Sequence, residues 1–110
     1  MATALVNGKV LVDDGLREGL AVLVERGRIV AVLRDDDARL RDADPHDLRS
    51  GTLLPGFIDA QVNGGGGVLF NNAPTVEAIE TIARAHRRFG TTGLLPTLIS
   101  DDLDVMRAAV

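Results

Sequence analysis

The sequence predicts an α/β protein whose β-rich opening gives way to alternating strands and helices. Three observations carry this. Short apolar runs before residue 34 are separated by turn residues at hairpin spacing. From Gly51 onward the texture changes to β-α-β-α. The 110 residues are 45% hydrophobic and 25% charged, the composition of a folded domain and not of a disordered one.

Ala4–Val6 and Lys9–Val12 flank Asn7-Gly8, which reads as a two-residue hairpin. Asp13-Asp14-Gly15 is a second turn. Leu20–Glu25 and Arg28–Leu33 flank Arg26-Gly27, a further hairpin. Both faces of these strands are apolar, which predicts a sandwich or a covered sheet. Residues 34–51, opened by Arg34-Asp35-Asp36-Asp37, read as a solvated connection in which His46 is a loop histidine.

Thr52–Asn63 reads as a buried strand ending in polar residues, with Pro55 deferring its regular hydrogen bonding. The glycine run Gly64–Gly67 follows. A helix then opens at Thr75 as N-cap, carries Glu77 in its first turn and repeats Val76, Ile79, Ile82, Ala83 and Phe89 at helical spacing. Gly90 stops it. His86 reads as a helix-surface or packing residue. Thr92–Ile99 is a second strand, and Ser100 or Asp101 caps a second helix beginning near Asp102. Two strands joined by a helix of this length pair in parallel. Such a pair needs cover on both faces, so the chain reads as truncated, the front of a longer protein.

Several functions are excluded or disfavoured. A formal charge of −4, with 3% aromatics and neither Trp nor Tyr, argues against nucleic-acid partners. The absence of cysteine removes disulfides, thiolate metal sites and cysteine nucleophiles. The opening MATALVNGKVLV is no secretory signal, and no apolar run approaches the ~20 residues of a membrane span. A cytoplasmic location without membrane partners is the expectation. The glycine run fails the dinucleotide spacing, because Leu69 or Phe70 stands where the third glycine belongs, and Gly8-Lys9 is followed by Val10 and not by a hydroxyl.

Asp59, Gln61 and Asn63 share one face of their strand by the period of two. In parallel α/β structures functional groups gather at the C-terminal ends of strands. Spacing alone leaves two readings open: a structural polar network, or the floor of an active site.

Glu25-Arg26-Gly27-Arg28-Ile29-Val30, with Leu54-Pro55-Gly56-Phe57-Ile58-Asp59, resembles the amidohydrolase superfamily. The resemblance implies a small β-sandwich followed by a metal-dependent (β/α)8 hydrolase barrel. Residues 1–52 would be a portion of the sandwich and 53–110 the first two β/α units of an incomplete barrel. Most members carry His-x-His where this chain has Gln61-Val62-Asn63. The segment from Pro55 to Gly67, followed by Phe70-Asn71, is similar to the N-acetylglucosamine-6-phosphate deacetylase family. Leu95-Pro96-Thr97-Leu98-Ile99 resembles the second barrel strand of that family.

That likeness, carried by residues 20–107, implies hydrolysis of a sugar-phosphate acetamide to glucosamine 6-phosphate and acetate. It implies a divalent metal, zinc in many members, bound by residues beyond this chain. The catalytic aspartate is likewise expected downstream, so the fragment itself is expected to be inactive and to hold no metal ligand. Gln61, Asn63, Asp59 and Thr97, with the loop Gly64, Gly65, Gly66 and Gly67, are the expected active-site neighbours. A homo-oligomer is expected at full length. The alternatives are another metal-dependent amidohydrolase, acting on a cyclic amide or other N-acetyl sugar, and a non-catalytic β-rich binding module.

Overall fold

The computed structural model describes residues 2–110. They divide into two compact units, the first ending at Pro55 and the second spanning Gly56–Val110.

The first unit holds two small sheets. Strands β1 (Thr3–Val6), β4 (Leu20–Glu25), β5 (Arg28–Arg34) and β6 (Asp44–Asp47) form one, in the order β5-β4-β1-β6. Strands β2 (Lys9–Val12), β3 (Gly15–Arg17) and β7 (Thr52–Leu53) form the other, in the order β3-β2-β7. Ala4, Ala21, Val22 and Leu33 of the first sheet and Val10 of the second are buried. Ala21 and Val22 are adjacent, so β4 is covered on both faces, as its apolar alternation requires.

The Asn7-Gly8 pair is not a hairpin. It carries the chain from one sheet to the other: β1 pairs with β4 and β6, whereas β2 pairs with β3 and β7. A type I′ hairpin needs positive φ at both central residues. Only Asn7 has it, at 58°, whereas Arg26 and Gly27, at 50° and 75°, both do and turn β4 into β5. The Asn7 amide donates to Asp47 Oδ1 at 2.7 Å, and the Lys9 N–H to the Gly51 carbonyl at 2.9 Å. The second sheet switch, Leu48–Gly51, is thereby tied to the first.

Residues 34–51 are more than a connection. They contain a 3-10 turn at Ala38–Leu40, capped by Asp37, and the strand β6 with its Pro45 and His46. β6 runs parallel to β1 at the edge of its sheet, where a proline's missing N–H costs least.

The second unit is built on β8 (Phe57–Val62) and β11 (Thr91–Pro96), paired in parallel from Thr91 opposite Phe57 to Pro96 opposite Val62. Between them lie the two-residue strands β9 (Gly64–Gly65) and β10 (Val68–Leu69), a 3-10 turn at Phe70–Asn72, and the helix α1 (Val76–Arg87). Thr75 caps α1 by accepting the Ala78 N–H. Gly90, at φ 96°, ends the turn that follows the helix. A short helix α2 (Leu103–Ala108) closes the chain. Its N-cap is Asp102 and not Ser100 or Asp101, because Asp101 is engaged elsewhere. Val62, Phe70 and Ile82 form the core, with Val68, Ile79, Leu94, Leu98 and Ala109 packed around them. Among the described residues no helix is long and apolar enough to cross a membrane.

Candidate functional site

β8 ends at Val62, whose buried side chain anchors the strand in the core. The polar residues of this strand end therefore sit on a fixed support. Asp59 is half-buried and its Oδ1 accepts the backbone N–H of Gln61 at 3.1 Å. Gln61 is exposed, with an amide that offers both a donor and an acceptor. Asn63 is half-buried, and its Nδ2 donates to the Thr97 carbonyl at 2.8 Å. The Thr97 N–H returns a bond to the Val62 carbonyl at 2.8 Å. The Thr97 hydroxyl donates to the Leu95 carbonyl within its own segment.

The four glycines form a hairpin. Gly64 and Gly65 pair with Leu69 and Val68. Gly66 and Gly67 make the turn at φ 62° and 81°, the left-handed pair that a type I′ turn requires. A Cβ on Gly64 would lie 2.5 Å from the Val68 carbonyl oxygen, so that position has no room for a side chain. His86 reaches from α1 to the hairpin, its Nε2 3.0 Å from the Gly64 carbonyl oxygen.

Beyond the hairpin, Asn71 is the buried polar residue of the described chain, 8% exposed. It accepts the Ile99 N–H at 2.9 Å and donates to the Ile99 carbonyl and to Asp101 Oδ2, each at 2.8 Å. The amide donating to it, followed by the Asp102 N–H, holds the Asp101 carboxyl below the usual carboxylate range.

The structure thus brings Asn63, Thr97 and the glycine hairpin together. It leaves Gln61 exposed and turns Asp59 back onto its own strand. Among the described residues no three of His, Cys, Asp and Glu come together as a metal cage. A side-chain amide binds a metal through its oxygen and only weakly, so Gln61 and Asn63 do not make a metal site by themselves.

His86, expected on the helix surface or in packing, is a packing residue that touches Gly64. Sequence reasoning missed two participants, Asp101 and Asn71. Asp101 is no helix cap, since it partners Asn71. Asn71 itself carried one signal: it is a short amide directly after the apolar run Val68-Leu69-Phe70, where a polar side chain needs a partner.

No family model matches the chain. An N-acetylgalactosamine-6-phosphate deacetylase of Shewanella sp. (strain ANA-3) is 49% identical over 102 residues, 92% of this chain and 26% of that protein. An N-acetylglucosamine-6-phosphate deacetylase of Haemophilus influenzae is 32% identical over 110 residues, 100% of this chain and 29% of that protein. The crystal structure of N-acetylglucosamine-6-phosphate deacetylase from Pasteurella multocida superposes with a TM-score of 0.88 at 33% identity. It covers 99% of this chain and 28% of that one. The resemblance read from residues 55–71 and 95–99 is therefore a likeness of nearly the whole chain. The chain spans between a quarter and a third of the length of these relatives.

Proposed function

We propose that this chain is the opening portion of a hydrolase that removes the acetyl group from a 6-phosphorylated N-acetylhexosamine. The product of its complete gene would release acetate and the amino sugar phosphate. The observation that carries this reading is the likeness to two such deacetylases across 92% and 100% of the chain. The strand end is consistent with it. In this reading β8 and β11 are the first two strands of a (β/α)8 barrel, and Asn63, Gln61 and Thr97 stand at the C-terminal end, where such barrels keep their sites.

In the proposed reaction water adds to the acetamide carbonyl, the C–N bond breaks, and the amine leaves with a proton. This chain's share is positioning. Asn63 fixes the Thr97 segment, and the exposed Gln61 amide is free to hold a substrate hydroxyl or amide. The divalent ion that the family resemblance implies, zinc in many members, would activate water when bound. It is assigned to residues outside this chain. A cytoplasmic, homo-oligomeric enzyme completes the reading.

The 49% identical relative favours a second substrate of the same class, the C4 epimer N-acetylgalactosamine 6-phosphate. The test is amine release by the product of the complete gene from both phosphorylated sugars and from both unphosphorylated ones. Much higher kcat/KM for one phosphorylated epimer is expected, because binding energy from the remote phosphate can orient the amide. Equal values with and without phosphate would instead point to another amidohydrolase.

A further inference from the structure

The segment Thr97–Asp101 follows β11 and precedes α2 without regular structure. Its backbone polar groups still need partners. Thr97 finds them at the end of β8: its N–H bonds the Val62 carbonyl and its carbonyl accepts the Asn63 amide. Ile99 has no strand beside it, and Asn71 takes that place. The Asn71 amide exchanges two hydrogen bonds with the Ile99 N–H and carbonyl, at 2.9 and 2.8 Å. This is the reciprocal pattern that two opposed residues make in an antiparallel ladder. The same Nδ2 also reaches Asp101 Oδ2, so one buried side chain holds both ends of a three-residue span.

We infer that Asn71 is a positioning residue: its amide substitutes for a missing strand, and with Asn63 it clamps Thr97–Asp101 against the glycine hairpin and the strand end, where Gln61 is proposed to hold substrate. This rests on the deacetylase reading. The two asparagines flank the hairpin, Asn63 immediately before Gly64 and Asn71 immediately after Phe70. Each reaches across about thirty residues to the same segment. Only a carboxamide fits at position 71. A carboxylate could accept from Ile99 but could not donate to its carbonyl, and it would stand against the Asp101 carboxylate. An aliphatic residue would leave the Ile99 N–H and carbonyl without this partner.

The test uses the product of the complete gene. Asn71→Asp should lower kcat by on the order of 10²-fold, as misplacement of a site wall does. That deficit, taken as a ratio to the parent at each pH, should shrink as pH falls, because a proton shared with Asp101 restores one donor. Adding Asp101→Asn to Asn71→Asp should recover part of the activity, since the amide at 101 then donates to the carboxylate at 71, while the Ile99 carbonyl still lacks its donor. A ratio flat with pH, or a double variant no better than Asn71→Asp alone, would overturn the inference. If the parent deacetylates no amino sugar phosphate, the functional reading fails and hydrogen exchange decides the positioning role. Faster exchange of the Ile99 amide in Asn71→Ala, with exchange in the β8 amides unchanged, upholds the clamp. Unaltered Ile99 exchange refutes it.

Discussion

The imidazole Nε2 of His86 lies 3.0 Å from the carbonyl oxygen of Gly64, 22 residues earlier in the chain. A carbonyl only accepts, so Nε2 carries the proton and the ring donates. The bond joins the last turn of α1 to the first residue of the glycine hairpin. It ties the support of the site to the helix that packs behind it.

His86→Ala should therefore loosen the hairpin. Loss of one half-buried hydrogen bond is expected to cost about 1 kcal/mol. Thermal or chemical unfolding of the complete gene product measures it. Nitrogen chemical shifts of the ring should show the Nε2–H form in the parent. A neutral ring protonated only on Nδ1 would contradict the assignment.

The hairpin glycines should not be equivalent. A Cβ on Gly64 meets the Val68 carbonyl oxygen at 2.5 Å, and backbone cannot yield as a side chain can. On Gly67 a Cβ meets nothing within 4 Å, although φ is 81°. Gly67→Ala carries only the left-handed backbone penalty of about 1–2 kcal/mol. Gly64→Ala should cost more, up to about 3 kcal/mol. Equal shifts in denaturation midpoint would show that the hairpin is not packed this way.

How far such detail is legible in a sequence is illustrated by two dipeptides. Arg26-Gly27 and Asn7-Gly8 carry the same turn signal, and only the first is a hairpin. The difference lies in long-range pairing. Asn7 is held by Asp47, and Gly8 passes so near the Gly51 carbonyl that a Cβ would come within 2.7 Å. No local window contains those partners. β6 was hidden for a related reason: Asp44-Pro45-His46-Asp47 has no apolar face, and all four residues are exposed at the sheet edge. α1 and the β8–β11 pair were legible because their signals are periodic and local. Of the candidate site, the strand end was readable by alternation, whereas the roles of Asn71 and His86 depend on segments 28 and 22 residues away.

Acid should remove a local contribution at Asp37. The Arg39 side chain, and then the Arg39 N–H, hold this carboxyl at about 2, below its ordinary 3.8. A carboxyl whose folded pKa is depressed stabilises the fold above its unfolded value and stops doing so as pH falls through the folded one. The window is therefore between about pH 3.8 and about pH 2. Asp37→Asn should lower the melting temperature slightly at neutral pH. The difference from the parent should close across that window. A difference independent of pH would show that the effect does not come from the Asp37 charge, since asparagine keeps an oxygen to cap the 3-10 turn.

The pair Gln61 and Asn63 makes a prediction about metal content. Both are amides, and an amide oxygen binds zinc or its neighbours far more weakly than an imidazole nitrogen does. Gln61→His together with Asn63→His would supply two imidazoles at the end of one strand. The structure already holds the partner that such a ligand needs. The Thr97 carbonyl, which now accepts the Asn63 amide at 2.8 Å, can accept the N–H of an imidazole whose other nitrogen faces a metal. The complete gene product carrying both changes should therefore retain about one more tightly held divalent ion per chain than the parent after extensive dialysis. Elemental analysis of the two proteins side by side gives the answer. An unchanged metal count in a variant that keeps the parent's fold would show that this strand end does not face a metal pocket. Two equivalents in the unmodified protein would show that these amides do not limit its metal binding.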